Sequence, residues 1–557
     1  MASPEKLFQN SLAELSLHLG RSPFLIRTLN QLAELLKTSV LWAAPGPEPE
    51  SATKVPERVA AVAKSSLCLL ESIQAASQEG VLLGCSGVKS ESKRERVTSD
   101  VTSEHDTGTG TFGASSERLG ESVNSIASDD QVVSKQGIVV SEELSNLSET
   151  DQSSSLFSPL NVLSYVAAPM LIFCGTHIQV KPWTNTESRS LTQQLLCTLL
   201  DVSGCKSVPV LLRGPDHLGP SGGIFGEALE LLIPMLRKDI WESHPHAKVV
   251  FSWILLQVTR PWLSEFLARV VPPSLLFSDD YKTENKILGV SCLHHIIKNA
   301  PAADLRQYNH AQVIYHALRA HMYSTDSDVI EVVFPCLLDL FPVLQKSPST
   351  IGRYKKEADN PSDEILQLVL IHMEMEHKIV LRRLYARYLP VLVERIVSTA
   401  LDERCKGLSG VQKLIDLFIH THTNYKKTDH RLGARVARHM KRLLRVIVGY
   451  LEVYDGPEEI ARLCILKSLQ ETIKYAWPRI PCRLSLLLKA LVKLLYEISC
   501  YQNNEPVTDA LCHGATECLL LLDRCSKGQV KVTLAGISSV CKERYLVQCI
   551  ERVQQES

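Results

Sequence analysis

The 557-residue sequence is poor in aromatic residues, has almost no net charge and contains no long uninterrupted apolar run. Phe, Trp and Tyr make up 6% of the chain, whereas Leu, Ile, Val and Ala are abundant. This composition favours helices packed on helices over β-sandwiches or barrels. The most membrane-like run, residues 162–174, is interrupted by Ser164 and Pro169 and falls short of the roughly 20 residues that span a bilayer. Because the N-terminus also lacks a signal-peptide pattern, we expect a soluble intracellular protein.

The sequence also lacks recognisable metal-binding and phosphate-binding motifs. The 16 cysteines form no Cys-x-x-Cys pair, so they are expected to be reduced thiols of the core, and a zinc site made of Cys512, Cys518 and Cys525 is the less favoured alternative. The glycine-rich stretch at residues 219–226 is not followed by the Lys-Ser/Thr pair of a phosphate-binding loop. We therefore predict that the protein is not an enzyme and uses no cofactor and no metal.

The net charge of −1 conceals an uneven distribution that divides the chain into three regions. Residues 1–83 are predicted to form a helical segment. Residues 84–155 contain 17 serines, one aromatic residue, 13 acidic and 6 basic side chains, a composition that predicts a disordered, Ser-rich acidic linker. From residue 156 to residue 557, apolar stripes of helical period recur between Pro and Gly breaks. This pattern predicts an all-α, HEAT-like α-solenoid of helical hairpins.

A basic stripe lies within residues 378–445, which carry 16 basic and 5 acidic side chains. Five arginines at alternating steps of four and three share one face of a single predicted helix: Arg431, Arg435, Arg438, Arg442 and Arg445. Three interpretations remain open for them. They are a solvated face with salt bridges to neighbouring repeats, a docking surface for an acidic partner, or a nucleic-acid contact. Of the last two, the docking surface is favoured over the nucleic-acid contact.

Residues 250–297 combine two amphipathic helices with an acidic connector. The stretch contains Trp253 and Trp262, and an Arg-Pro-Trp corner that begins at Arg260. The connector supplies four polar or aromatic candidates for contact with a partner protein, namely Asp279, Asp280, Tyr281 and Asn285. We expect Trp253, Arg260 and Trp262 to stabilise or present this connector.

Short sequence motifs here and further along the chain resemble those of the family of the second Tel-two-interacting protein, a subunit of the Triple T complex. The resemblance covers residues 160–550 and fades before residue 156. It rests on FSW at residues 251–253, VTRPWL at 258–263, SDDYKTENKILGV at 278–290, CLLDLFPVL at 336–344, LYARYLP at 384–390, GYLEVYDGPEE at 449–459 and CLLLLDRC at 518–525.

The resemblance implies a non-enzymatic scaffold that supports the maturation of phosphatidylinositol-3-kinase-related kinases, including mTOR, ATM, ATR and DNA-PKcs. The implied direct partners are the Tel-two protein and the first Tel-two-interacting protein. The ninety-kilodalton heat-shock chaperone and the RuvB-like ATPase assembly would act indirectly, and the location would be cytoplasmic and nuclear. Two alternatives of other classes are a nucleic-acid-binding solenoid and an importin-like transport adaptor.

Overall fold

The structure, a computed structural model, describes residue 44 and residues 51–84, 159–214, 223–344, 360–402, 434–500, 504–538, 541 and 543–556. Most of the predicted linker and of residues 1–50 lies outside this described part, as does Arg431. Every regular element within the described part is helical. The α-helices are α1 Ser51–Gly84, α2 Pro159–His177, α3 Thr186–Val202, α4 Val208–Arg213, α5 Gly223–Leu232, α6 Pro245–Leu255, α7 Leu267–Ser278, α8 Thr283–Asn299, α9 Ala302–Gln307, α10 His310–His321, α11 Ser327–Leu344, α12 Pro361–Met375, α13 Ile379–Asp402, α14 Ala434–Leu451, α15 Ile460–Ala476, α16 Leu484–Cys500, α17 Glu505–Cys525, α18 Gln529–Ser538 and α19 Arg544–Gln555.

Local sequence explains where several of these helices start. Asn185 caps α3, since its side chain accepts a hydrogen bond from the Ser188 N–H at 2.7 Å while Ser188 Oγ accepts one from the Asn185 N–H at 3.0 Å. Asn360 accepts from the Ser362 N–H and is followed by Pro361, which suits the first position of α12. Such caps satisfy backbone N–H groups that have no partner within the helix.

Successive helices pair into hairpins that stack in two layers. The hairpins are α7/α8, α10/α11, α12/α13, α14/α15 and α16/α17. In one layer α8, α11, α13, α15 and α17 each contact the next, and in the other α7 contacts α10 and α14 lies between α12 and α16. Contact with neighbouring repeats is the defining property of a solenoid. The prediction of a HEAT-like α-solenoid is therefore confirmed.

Helices at the two ends cover the stack. At the N-terminal side α1 packs against α2 and α3, and α2 contacts α5 and α6. At the C-terminal side α19 packs against α16 and α17. The core between the layers is mainly aliphatic, with aromatic rings at junctions such as Phe334 of α11, which stacks on Tyr388 of α13 at 4.4 Å between ring centroids. No described helix is both long and apolar enough to traverse a bilayer.

The α7/α8 hairpin is unusually close at Gly289. A Cβ atom placed on this residue would lie 2.2 Å from the backbone nitrogen of Ser278. Only glycine allows the two helices to cross with their backbones in contact here. The crossing fixes the position of the short connector that follows Ser278.

Candidate protein-interaction surface

The connector between α7 and α8 is a tight turn with one prominent aromatic side chain. The Asp279 N–H donates to the carbonyl of Leu275 at 2.9 Å and so closes the end of α7. Tyr281 is 73% exposed, and the Nζ of Lys282 lies 5.2 Å from the centroid of its ring. Asp279 is also exposed. The turn therefore offers an aromatic ring beside a carboxylate, a combination suited to contact with another protein.

Contacts from behind hold this turn in place. Asn285 donates to the carboxylate of Asp280 and accepts from Lys248 Nζ of α6 at 2.8 Å. Thr283 Oγ1 donates to Asp326 Oδ2 at 2.6 Å, which ties the start of α8 to the next hairpin. Burial lowers the pKa of Lys248, and the neighbouring Lys282 lowers it further. A turn held on several sides loses little conformational entropy when a partner binds.

The polar residues of the connector consequently differ in role. Asn285 is only 4% exposed, so the expectation that it faces a partner is corrected: it fixes the turn from inside. Asp280 is half-buried and engaged with Asn285. Asp279 and Tyr281 remain as the side chains that a partner could reach.

Among the described residues, no recorded hydrogen bond or ring contact joins Trp253, Arg260 or Trp262 to this turn. Trp253 packs over Gly175 of α2, where a Cβ would lie 2.8 Å from its Cε3 atom. The guanidinium of Arg213 lies 3.9 Å from the ring centroid of Trp262. Arg260 donates to the carbonyl of Ala300 at 3.2 Å, at the far end of α8, about 25 Å from the turn at 1.5 Å per residue. Their contacts secure other parts of the solenoid, and the expectation that they stabilise or present the connector stays a prediction.

The arginine stripe on α14 meets an acid from within the chain. Arg442 Nε lies 3.3 Å from Glu374 Oε2, and Arg445 Nη1 donates to Glu374 Oε1 at 3.1 Å. Arg438 is exposed, and the side chain of Arg435 belongs to the part that is not described. Met440, Leu443 and Ile447 bury the opposite face of α14. The acid that pairs with Arg442 and Arg445 therefore comes from the neighbouring hairpin.

A buried charge network at the α14/α15 turn escaped the sequence analysis. Asp455 accepts hydrogen bonds from Arg383 Nε at 3.2 Å and from the Ala461 N–H at 2.8 Å. Arg462, which is 1% exposed, donates to Glu459 Oε1 and Glu497 Oε2, both at 3.0 Å. Burial, together with a hydrogen bond to Asp455, raises the pKa of Glu459 to about 7. Its sequence signal is the three acids around Gly-Pro in DGPEE at residues 455–459, a pattern that is also typical of an ordinary helix start.

Cysteine and histidine side chains form no three-ligand metal cluster among the residues that the structure describes. The Sγ of Cys518 is buried and donates to the carbonyl of Leu466 at 3.5 Å. Burial raises the pKa of the Cys292 thiol to about 12, which keeps it protonated.

Comparison with known proteins places these features in a family. The model of the Tti2 family matches residues 226–453, which include the α7/α8 turn and α14. TELO2-interacting protein 2 of Homo sapiens is 46% identical over 400 residues, which cover 71% of this chain and 70% of that relative. The chain belongs to the Tti2 family. A second family member, TELO2-interacting protein 2 of Mus musculus, is 45% identical over 399 residues and has the same coverage.

Solved structures with similar helical arrays are more distant than these Tti2 family members. Importin beta is 14% identical, with a TM-score of 0.34, over 73% of this chain and 50% of its own. Kap121p bound to Nup53p is 11% identical, with a TM-score of 0.23, over 99% of this chain and 58% of its own. Likeness at this level carries no argument about function.

Proposed function

We propose that this protein is a non-enzymatic adaptor subunit of the Triple T complex, in which it binds the Tel-two protein and the first Tel-two-interacting protein. The observation that carries the proposal is the 46% identity over 400 residues to a protein named for its interaction with TELO2. A stack of hairpins supports this role physically, because it offers an extended surface to other proteins.

The α7/α8 turn is the proposed contact within that surface. Tyr281 projects from a turn whose backbone and neighbours are fixed by Asn285, Thr283 and Gly289. Aromatic side chains on a preorganised scaffold supply contact area at a low entropic cost. We assign Tyr281 and Asp279 to partner contact and Asn285 to positioning.

The finer part of the proposal concerns the purpose of the complex. As an adaptor, the protein would support the maturation and stability of phosphatidylinositol-3-kinase-related kinases, including mTOR, ATM, ATR and DNA-PKcs. The ninety-kilodalton heat-shock chaperone and the RuvB-like ATPases would join indirectly. The complex would act in the cytoplasm and the nucleus.

Depletion and rescue in cells test this function. Removal of the protein is expected to lower the steady-state amounts of these kinases without lowering their mRNA. Re-expression of the wild-type chain should restore the kinases. The double variant Asp279→Lys with Tyr281→Ala should fail to do so while accumulating to the wild-type level. Unchanged kinase amounts after complete depletion would refute the proposal.

A nucleic-acid function gains no support from the basic helix. Glu374 pairs with both Arg442 and Arg445 within the chain, and its single negative charge offsets part of the positive charge that such an interface would need for phosphate contacts. No contact in the described residues favours importin-like transport over the adaptor role.

A further inference from the structure

Tyr281 belongs to a longer row of exposed apolar side chains at successive hairpin turns. Tyr323 follows α10 and is 58% exposed, and Met375 ends α12 and is 73% exposed. Beside Met375, the first turn of α13 exposes Ile379 and Val380. We call these five residues the turn ridge. Contiguous apolar groups on a soluble surface commonly mark sites of interaction.

Direct contacts place the three turns side by side. Ser278 Oγ, at the end of α7, lies 2.6 Å from His321 Nε2 at the end of α10. The starts of α8 and α11 are joined by the hydrogen bond between Thr283 and Asp326. The ring of Tyr323 meets that of His372 of α12 edge to face, with centroids 5.6 Å apart. The three turns therefore lie along one edge of the solenoid.

Within the three turns themselves, acids outnumber bases. The turns at residues 279–282, 323–328 and 375–378 contain two lysines and one histidine, Lys282, Lys378 and His377, against five acids, namely Asp279, Asp280, Asp326, Asp328 and Glu376. Glu376 also accepts hydrogen bonds from the backbone N–H groups of His377 and Lys378, which fixes the third turn. An acidic rim around apolar side chains complements a basic and partly apolar partner.

We propose that the turn ridge is the docking site for a basic amphipathic helix of a partner protein. Packed helices lie about 8–10 Å apart, so neighbouring turns recur at that spacing. Side chains at i, i+7 and i+14 of a helix are about 10.5 Å apart. One helix face can thus meet Tyr281, Tyr323 and Met375 in succession while its lysines and arginines contact the acidic rim.

Charge argues against occupancy of the ridge by this chain's own linker. Residues 84–155 carry 13 acidic and 6 basic side chains, so the linker would meet the ridge with like charge. The inference rests on the proposed adaptor function and adds the kind of partner segment that the adaptor recognises.

Two synthetic peptides of about 20 residues test the ridge directly. They share one Leu-rich helical face, and their polar faces consist of Lys and Arg in one peptide and of Glu in the other. Fluorescence anisotropy with the full chain should show binding of the basic peptide and none of the acidic one. The variant Tyr281→Ser, Tyr323→Ser, Met375→Ser should bind the basic peptide at least about tenfold more weakly.

The matched control replaces exposed valines elsewhere, Val180→Ser with Val532→Ser, whose side chains are at least as exposed as those of the ridge. Circular dichroism should show equal helicity for all three proteins. The inference is overturned if both peptides bind equally, if neither binds, or if the ridge variant binds as the control does.

Assembly with the Tel-two protein and the first Tel-two-interacting protein separates this inference from the adaptor function. If the wild type assembles and the ridge variant assembles equally well, the ridge inference fails and the adaptor function stands. If the wild type does not assemble, the adaptor function fails, and the peptide comparison still decides the ridge.

Discussion

At the scale of single residues, His177 and His246 are both buried. Among the described residues, none of their four ring nitrogens has a hydrogen-bond partner. Burial lowers the pKa of His177 to about 3, and that of His246 to about 4. A folded-state pKa below the unfolded value means that the unfolded chain takes up more protons. The stability that these residues contribute is therefore present above about pH 6.5 and lost as the pH falls toward 4.

The two histidines make acid destabilisation predictable. Between pH 7 and pH 5, each should lower the free energy of unfolding by about 2 kcal/mol. Urea denaturation of the wild type and of His177→Leu with His246→Leu measures this effect. The variant should lose much less stability over that interval. Equal losses in both proteins would show that other groups control the acid transition.

Arg462 provides a second test at the residue scale. Arg462→Leu leaves the buried carboxylate of Glu459 without its cation, and we expect a loss of about 3–5 kcal/mol. Arg445→Leu, which removes an exposed pair with Glu374, should cost less than about 1 kcal/mol. Chemical denaturation of both variants compares the same substitution in buried and exposed settings. Similar losses would contradict the assignment of Arg462 to the centre of a buried network.

At the scale of elements, the crossing of α7 and α8 depends on Gly289. Gly289→Ala should destabilise the protein by at least about 2 kcal/mol, because the new methyl group meets the backbone of Ser278. Gly449→Ala in α14 is the control, since nothing lies within 4 Å of the added Cβ. It should stabilise by about 0.5–1 kcal/mol. Thermal unfolding that ranks the two variants in the opposite order would contradict this account of the crossing.

The seam between α12 and α14 predicts a charge-swap rescue. Arg442→Glu with Arg445→Glu places two acids against Glu374, and this variant should lose about 1 kcal/mol of stability. Adding Glu374→Arg should restore most of that loss, whereas partner binding should change little throughout. Denaturation midpoints and partner recovery measure both effects. If the variant loses its partners while its stability is unchanged, the arginine stripe is a docking surface and not a salt-bridge seam between α12 and α14.

These elements also show how much of the structure can be predicted from a single sequence. Helical period predicted the hairpins, and the polar connector predicted an exposed turn at Tyr281. The burial of Asn285 could not be foreseen, because its partner Lys248 lies 37 positions away along the chain. The acid that meets Arg445 lies 71 positions away. Local patterns define faces of helices, whereas the side chain opposite each face is determined by how the hairpins stack.

At the scale of the whole molecule, the two-layer stack brings the turns after α7, α10 and α12 to one edge. The first two turns are held by contacts with the next hairpin, through the hydrogen bond between Thr283 and Asp326 and the ring contact between Tyr323 and His372. Such an arrangement suits a subunit that binds other proteins over a long path. This architecture and membership of the Tti2 family support the adaptor role proposed above.

Native mass spectrometry of a reconstituted mixture tests the adaptor role most directly. The purified full-length chain is combined with the Tel-two protein and the first Tel-two-interacting protein. The account predicts a stoichiometric assembly that contains all three proteins with the wild type, and a marked loss of this chain from the assembly with Asp279→Lys, Tyr281→Ala. An assembly of the other two proteins that excludes the folded wild-type chain would contradict the account.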